Sequence, residues 1–104
     1  MQNYQDFLAE ILVDEKSLQA RLKELGAEIS LDYADSNGGL LLICILRGGV
    51  PFLVDLMRHI TIPHMLDFLA ISSYGKGARE STGNVRLTMD LQTNIHNKHV
   101  LLVE

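Results

Sequence analysis

Cysteine is almost absent from this chain. One thiol, Cys44, among 104 residues builds no internal disulfide framework, and a reducing compartment is its natural setting. Its place inside Leu40-Leu41-Leu42-Ile43-Cys44-Ile45-Leu46 makes it a small buried hydrophobe. Positive charge is also scarce: nine Lys and Arg stand against thirteen Asp and Glu, a formal net charge of −4. General binding to DNA or RNA phosphates calls for a basic face, and this balance argues against it. No apolar run approaches the ~20 residues of a membrane span. Met1-Gln2-Asn3-Tyr4-Gln5-Asp6 has no basic stretch ahead of an apolar one and does not read as a secretory signal. The expectation is a soluble, cytoplasmic protein with no internal repeat and no low-complexity segment.

What is present suffices for one small globular domain over residues 1–104, since 47% of the residues are hydrophobic. Glu10 to Val13 is apolar enough for a first strand or an extended lead-in. Asp14 suits an N-cap, with Glu15 in the first turn where a helix dipole favours negative charge. Leu18, Leu22, Leu25, Ile29 and Tyr33 keep helical spacing and predict an amphipathic helix from Glu15 to Ala34. Gly26 lies inside it and weakens it by roughly 1 kcal/mol relative to Ala. Asp35-Ser36-Asn37-Gly38-Gly39 supplies turn chemistry.

Leu40 to Leu46 is continuously apolar and too short for a free-standing helix, so it predicts a strand covered on both faces in a parallel sheet. Pro51 suits the first turn of a helix reaching about His59. A strand over Met65–Ser72 follows, with Asp67 as its one charge. Ser73 to Asn84 is a polar, glycine-containing loop. Val85–Met89 alternates as a strand, Asp90–Asn97 connects, and Lys98–Val103 is the last strand. The predicted order is β-α-β-α-β-loop-β-β, an α/β layout.

Three places carry chemistry. Leu46-Arg47-Gly48-Gly49 joins the tip of the buried strand to the head of a helix. Small residues there admit a ligand close to the backbone, unpaired N–H groups beside a helix N-terminus attract anions, and Arg47 adds forked donors suited to phosphate. A tight strand-to-helix turn that simply needs glycine is the alternative. The second place is the loop from Ser72 to Gly83, whose length, three glycines, Lys76, Arg79 and the Ser73 and Tyr74 hydroxyls fit a lid; a plain hairpin connection fits equally. The third is Glu104, a carboxylate at the C-terminal tip of a strand, where parallel sheets bind ligands; an ordinary solvated C-terminal residue is the alternative.

Other motifs fail. No stretch fits G-x-x-x-x-G-K-[ST], and Gly75-Lys76-Gly77-Ala78-Arg79-Glu80 lacks the third small residue of G-x-G-x-x-G. His59, His64, His96 and His99 show no zinc-ligand spacing.

Taken in order, the pieces resemble the hypoxanthine-guanine phosphoribosyltransferases of bacterial type, within the type I phosphoribosyltransferases. The resemblance is carried by Ile11-Leu12-Val13-Asp14, the helix from Gln19 to Ser30, Leu46-Arg47-Gly48-Gly49-Val50-Pro51-Phe52-Leu53, Asp67 through Gly75, and His99-Val100-Leu101-Leu102-Val103-Glu104. It implies transfer of 5-phosphoribosyl from phosphoribosyl diphosphate to hypoxanthine or guanine, with Mg²⁺, giving IMP or GMP and pyrophosphate. It further implies that Leu46, Arg47, Gly48 and Gly49 hold pyrophosphate, across a cis peptide at Leu46–Arg47. By the same resemblance Ser73 and Tyr74 close over the reacting centre, excluding water. Glu104 meets the ribose hydroxyls and the Mg²⁺ shell. A homo-oligomer is the family's usual state.

The family's second acidic residue, its 5′-phosphate loop and its purine-recognising residues have no counterpart in this sequence. The expectation is therefore an incomplete domain, the N-terminal half, with a mostly parallel sheet, a long mobile loop, the pyrophosphate side of the pocket and no activity alone. The alternative is a non-catalytic anion-binding or assembly module derived from the same fold.

Overall fold

A computed structural model describes residues 6–73 and 85–104. Helix α1 spans Glu15–Asp32, followed by a 3-10 turn at Ala34–Ser36. Strand β1 is Leu40–Ile45, helix α2 is Val50–Met57, strand β2 is His64–Ser73, β3 is Val85–Met89 and β4 is His99–Val103. No strand forms at Glu10–Val13: the segment runs as an exposed lead-in, with Leu12 84% exposed. Apolar residues without a neighbouring strand to pair have nothing to make them a strand, and the expected order loses its first β.

Helix α1 begins where its cap chemistry begins. The Asp14 carboxylate accepts from the Ser17 N–H at 2.7 Å, satisfying one of the donors a helix start leaves open. That bond, then the Ser17 hydroxyl, holds the Asp14 carboxyl below its ordinary pKa. The helix packs on the sheet from Leu22 onward through Leu25, Ile29 and Tyr33, while Leu18 stays 47% exposed. It stops at Asp32, short of the expected Ala34, and the chain reverses through Asn37 (φ 53°) and Gly38 (φ 80°), left-handed conformations that asparagine and glycine tolerate.

Gly26 earns its place inside α1 by packing. A β-carbon there would collide with His59 Cβ and stand 2.6 Å from the His59 carbonyl oxygen, so the two backbones meet where only hydrogen fits. One turn on, buried Ser30 donates to the Gly26 carbonyl at 2.7 Å and accepts the Thr61 N–H at 2.9 Å. Helix α1 is thereby joined to the turn between α2 and β2.

The sheet order is β3-β2-β1-β4. Strand β1 is central and parallel to both β2 and β4, with Leu40 opposite His64 on one side and His99 on the other. Strand β3 is antiparallel to β2, pairing beyond the stretch that β1 covers, from Ala70 to Ser73, with an irregularity between Ala70 and Ile71. Leu40, Leu42 and Cys44 point into a core with Leu22, Leu53, Leu56, Ile60 and Val103. Alternation sends Leu41 and Ile43 to the opposite face, where they are also buried. The expectation of a strand covered on both faces holds.

The two faces are covered differently. Helices α1 and α2 cover the first. On the second, the chain from β3 must pass two strands to reach β4. It does so past Asp67, which pairs with Ile43 in the ladder and so shares its face.

A candidate anion cradle at the strand tips

Strand β1 hands over to α2 through Leu46–Gly49. The Leu46 N–H still donates to the Leu69 carbonyl at 2.8 Å, continuing the ladder to β2. The next peptide, Leu46–Arg47, is cis, as the resemblance implied. The turn closes with Val50 N–H to the Arg47 carbonyl at 3.2 Å and Leu53 N–H to the Gly49 carbonyl at 2.9 Å. Among the described residues, the N–H groups of Arg47, Gly48 and Gly49 meet no acceptor. Of these three residues at the head of α2, Arg47 and Gly48 are exposed and Gly49 is buried; neighbouring donors without an acceptor are suited to an anion.

The two glycines have separate tasks. A β-carbon on Gly48 would meet nothing within 4 Å, so this position faces open space. At Gly49 a β-carbon would lie 3.2 Å from Glu104 Cα, 3.2 Å from the Val103 carbonyl oxygen and 3.3 Å from Cys44 Sγ. Gly49 therefore lets the turn press against the end of β4, bringing Glu104 beside it. Arg47 and Glu104 are both exposed, and the Arg47 side chain makes no ion pair or hydrogen bond among the described residues. Beneath them the Cys44 thiol is buried, and burial pushes its pKa up.

Of the residues singled out from sequence, Leu46, Arg47, Gly48, Gly49 and Glu104 come together. Ser73 is the last residue of β2 and pairs with Val85. That puts it four residues past Leu69, roughly 13 Å further along the strand direction. Tyr74 and the loop to Asn84 lie outside the described residues. No cluster of three or more His, Cys, Asp or Glu able to hold a metal occurs among the described residues.

Residues 9–104 match the phosphoribosyl transferase domain. The chain belongs to the phosphoribosyltransferase family. Among curated phosphoribosyltransferases it is 46% identical over 94 residues to the hypoxanthine phosphoribosyltransferase of Buchnera aphidicola, covering 90% of this chain and 52% of that protein. It is 38% identical over 97 residues to the hypoxanthine-guanine phosphoribosyltransferase of Streptococcus thermophilus, covering 93% and 52%. In structure it resembles a hypoxanthine phosphoribosyltransferase from Staphylococcus aureus with a TM-score of 0.80 at 39% identity, covering 94% of this chain and 52% of that one. The Trypanosoma cruzi enzyme in complex with the product IMP gives the same TM-score at 32% identity, over 98% and 57%. The chain thus spans about half the length of the curated phosphoribosyltransferases it matches.

Sequence reasoning passed over one residue of this phosphoribosyltransferase fold. Asp67, noted only as a charge among apolar neighbours, is 4% exposed and fully engaged. Its Oδ1 accepts the Phe68 N–H at 2.8 Å, and its Oδ2 accepts the N–H groups of Gln92 at 2.9 Å and Thr93 at 2.7 Å. Burial alone would raise its pKa and is the largest single influence. The bonds from Phe68, from the Thr93 amide and hydroxyl, and from Gln92 together outweigh it and hold the carboxyl below its ordinary value. The available signal was a lone charge in an apolar strand, which burial makes expensive unless it is paired.

Proposed function

We propose that this chain carries the pyrophosphate side of a purine phosphoribosyltransferase site, acting in purine salvage on phosphoribosyl diphosphate and hypoxanthine or guanine. The observation that carries this reading is the crook at Leu46–Gly49, where the N–H groups of Arg47, Gly48 and Gly49 meet no acceptor among the described residues and Gly49 draws Glu104 alongside. In the reaction, the bond from ribose C1 to the pyrophosphate oxygen breaks, and its electron pair leaves with pyrophosphate. A purine ring nitrogen bonds to C1 and gives up its proton. The N–H groups of Arg47, Gly48 and Gly49 meet charge that grows on the departing oxygens, and such preorganised donors act most strongly there. The Arg47 guanidinium adds a fixed cation.

Mg²⁺ fits this arrangement as a metal carried mainly by substrate oxygens. It keeps several waters and takes one or two carboxylates together with phosphates, and Glu104 is a hard oxygen donor at the right strand tip. The Ser73–Tyr74 pair closes over the departing group, shielding the reactive ribose centre from water. A cytoplasmic setting suits a chain whose one thiol is buried and reduced. The complete enzyme works as a homo-oligomer.

Two measurements on the 104-residue chain test this. Calorimetric titration with pyrophosphate and Mg²⁺ should show saturable binding, lost when Arg47→Ala is combined with Gly48→Val. Assayed alone for IMP formation, the chain should be inactive or nearly so, because it spans about half the length of the curated phosphoribosyltransferases it matches. Absence of pyrophosphate binding by a folded chain would overturn the anion cradle. Turnover near that of an intact enzyme would overturn the half-site.

A further inference from the structure

Asp67 does more than satisfy itself. We propose that it is a positioning residue, a latch that fixes where the β2–β3 arm stands relative to β4, and hence where Ser73 stands relative to Glu104. The inference rests on the functional reading above only for its consequence; its geometry is independent of that reading.

Beyond Leu69, β2 leaves β1 and pairs with β3 alone. A two-stranded ribbon is marginally stable without further support. Just past the end of β3, the chain must turn and descend across the second face of the sheet to His99, where β4 begins. Asp67 takes hold of that crossing at Gln92 and Thr93, between three and four residues after β3 ends. Among the described residues, no other side chain of β1, β2 or β4 hydrogen-bonds residues 90–98. At the far end the His99 N–H reaches the Gly39 carbonyl at 2.8 Å, and the His99 ring lies 5.5 Å from that of Tyr33.

A carboxylate is suited to this task in a way an apolar residue is not. Ionised, it only accepts, so it can gather three N–H groups from two separate segments and fix their directions. A leucine, of similar branched shape but larger, would occupy the space and leave the Gln92 and Thr93 donors without partners. An asparagine would turn an NH₂ toward one set of N–H groups. Placement matters because a misfit of about 1 Å at a reacting centre can cost roughly a hundredfold in rate.

The test reads position directly. Leu87→Cys on β3 and Leu102→Cys on β4 replace residues that are 54% and 66% exposed, and buried Cys44 stays unlabelled in the folded chain. Spin labels at these two sites report the β3–β4 distance by pulsed dipolar spectroscopy. The parent should give one narrow distribution. Asp67→Asn should broaden or shift it, while amides of β1 keep their hydrogen-exchange protection and those of Gln92 and Thr93 lose theirs. Should Asp67→Asn fail to fold, Thr93→Pro removes the amide and hydroxyl donors of Thr93 from the other side of the latch and should broaden the distribution by itself. An unchanged distribution in a folded variant overturns the latch. Mg²⁺-pyrophosphate titration of the same proteins is then read separately. A parent that binds no pyrophosphate sinks the functional reading and leaves the distance result standing, whereas several-fold weaker binding in the variant links the latch to the site.

Discussion

Gly49 and Glu104 are in contact through the absence of a side chain: a β-carbon on Gly49 would sit 3.2 Å from the Glu104 Cα. The approach couples the anion turn to the tip of β4, so the two glycines of the turn should respond differently to the same change. Gly49→Ala should lower stability by about 1–3 kcal/mol, the usual cost of overpacking. Gly48→Ala, with open space around it, should leave denaturant midpoints nearly unmoved yet weaken pyrophosphate binding, since its methyl group would occupy ligand space. Urea melts paired with calorimetry separate the two effects.

Gly26 offers a sharper reversal. Helix propensity alone says that Gly26→Ala should stabilise α1 by roughly 1 kcal/mol. Contact with the His59 backbone says the opposite, and a clash with backbone is not relieved by rotating a side chain. The expected outcome is a loss of about 1–3 kcal/mol, measured by chemical denaturation. A gain would mean that α1 and the α2–β2 turn are further apart than described.

Acid should destabilise the fold through Asp67 and Asp14. Both carboxyls titrate below their unfolded value of about 4. Their contribution is therefore fully present above that pH and is lost as pH falls through the folded values. The melting temperature should be level above about pH 5 and decline below about pH 4. Asp67→Asn and Asp14→Asn should each lower the plateau and flatten the decline.

Cys44 should resist alkylation. Its thiol is buried and its pKa is raised by that burial, so little thiolate is available to attack iodoacetamide at neutral pH. Mass spectrometry should find it unmodified in buffer and fully modified in denaturant. Rapid modification of the native chain would show that the floor of the anion turn opens.

Much of the fold was legible because its signals are local. Leu40–Ile45 declares itself by continuous apolar character, α1 by spacing and by Asp14, and α2 by Pro51. Boundaries shifted by a residue or two: the strand expected to reach Leu46 ends at Ile45, where the turn begins. Glu10–Val13, readable as a strand or an extended lead-in, is the lead-in, because strand formation depends on a partner and no local pattern reveals whether one exists. The anion turn could be read as chemistry, but its meeting with Glu104 could not be derived from periodicity and entered through family resemblance. Asp67 and Gly26 were illegible for one reason. Their partners, Gln92 with Thr93 and His59, lie far away in the chain, and only the folded geometry shows them.

The central place of β1 sets a timetable for synthesis. A ribosome releases β1, the turn at Leu46–Gly49 and β2 well before it reaches β4, so for that interval the nascent sheet has β1 as a bare edge. An unpaired, wholly apolar edge invites stray strands from other chains. The donors for an anion thus exist before the carboxylate that will stand beside them, and arrival of β4 is what covers the second edge of β1.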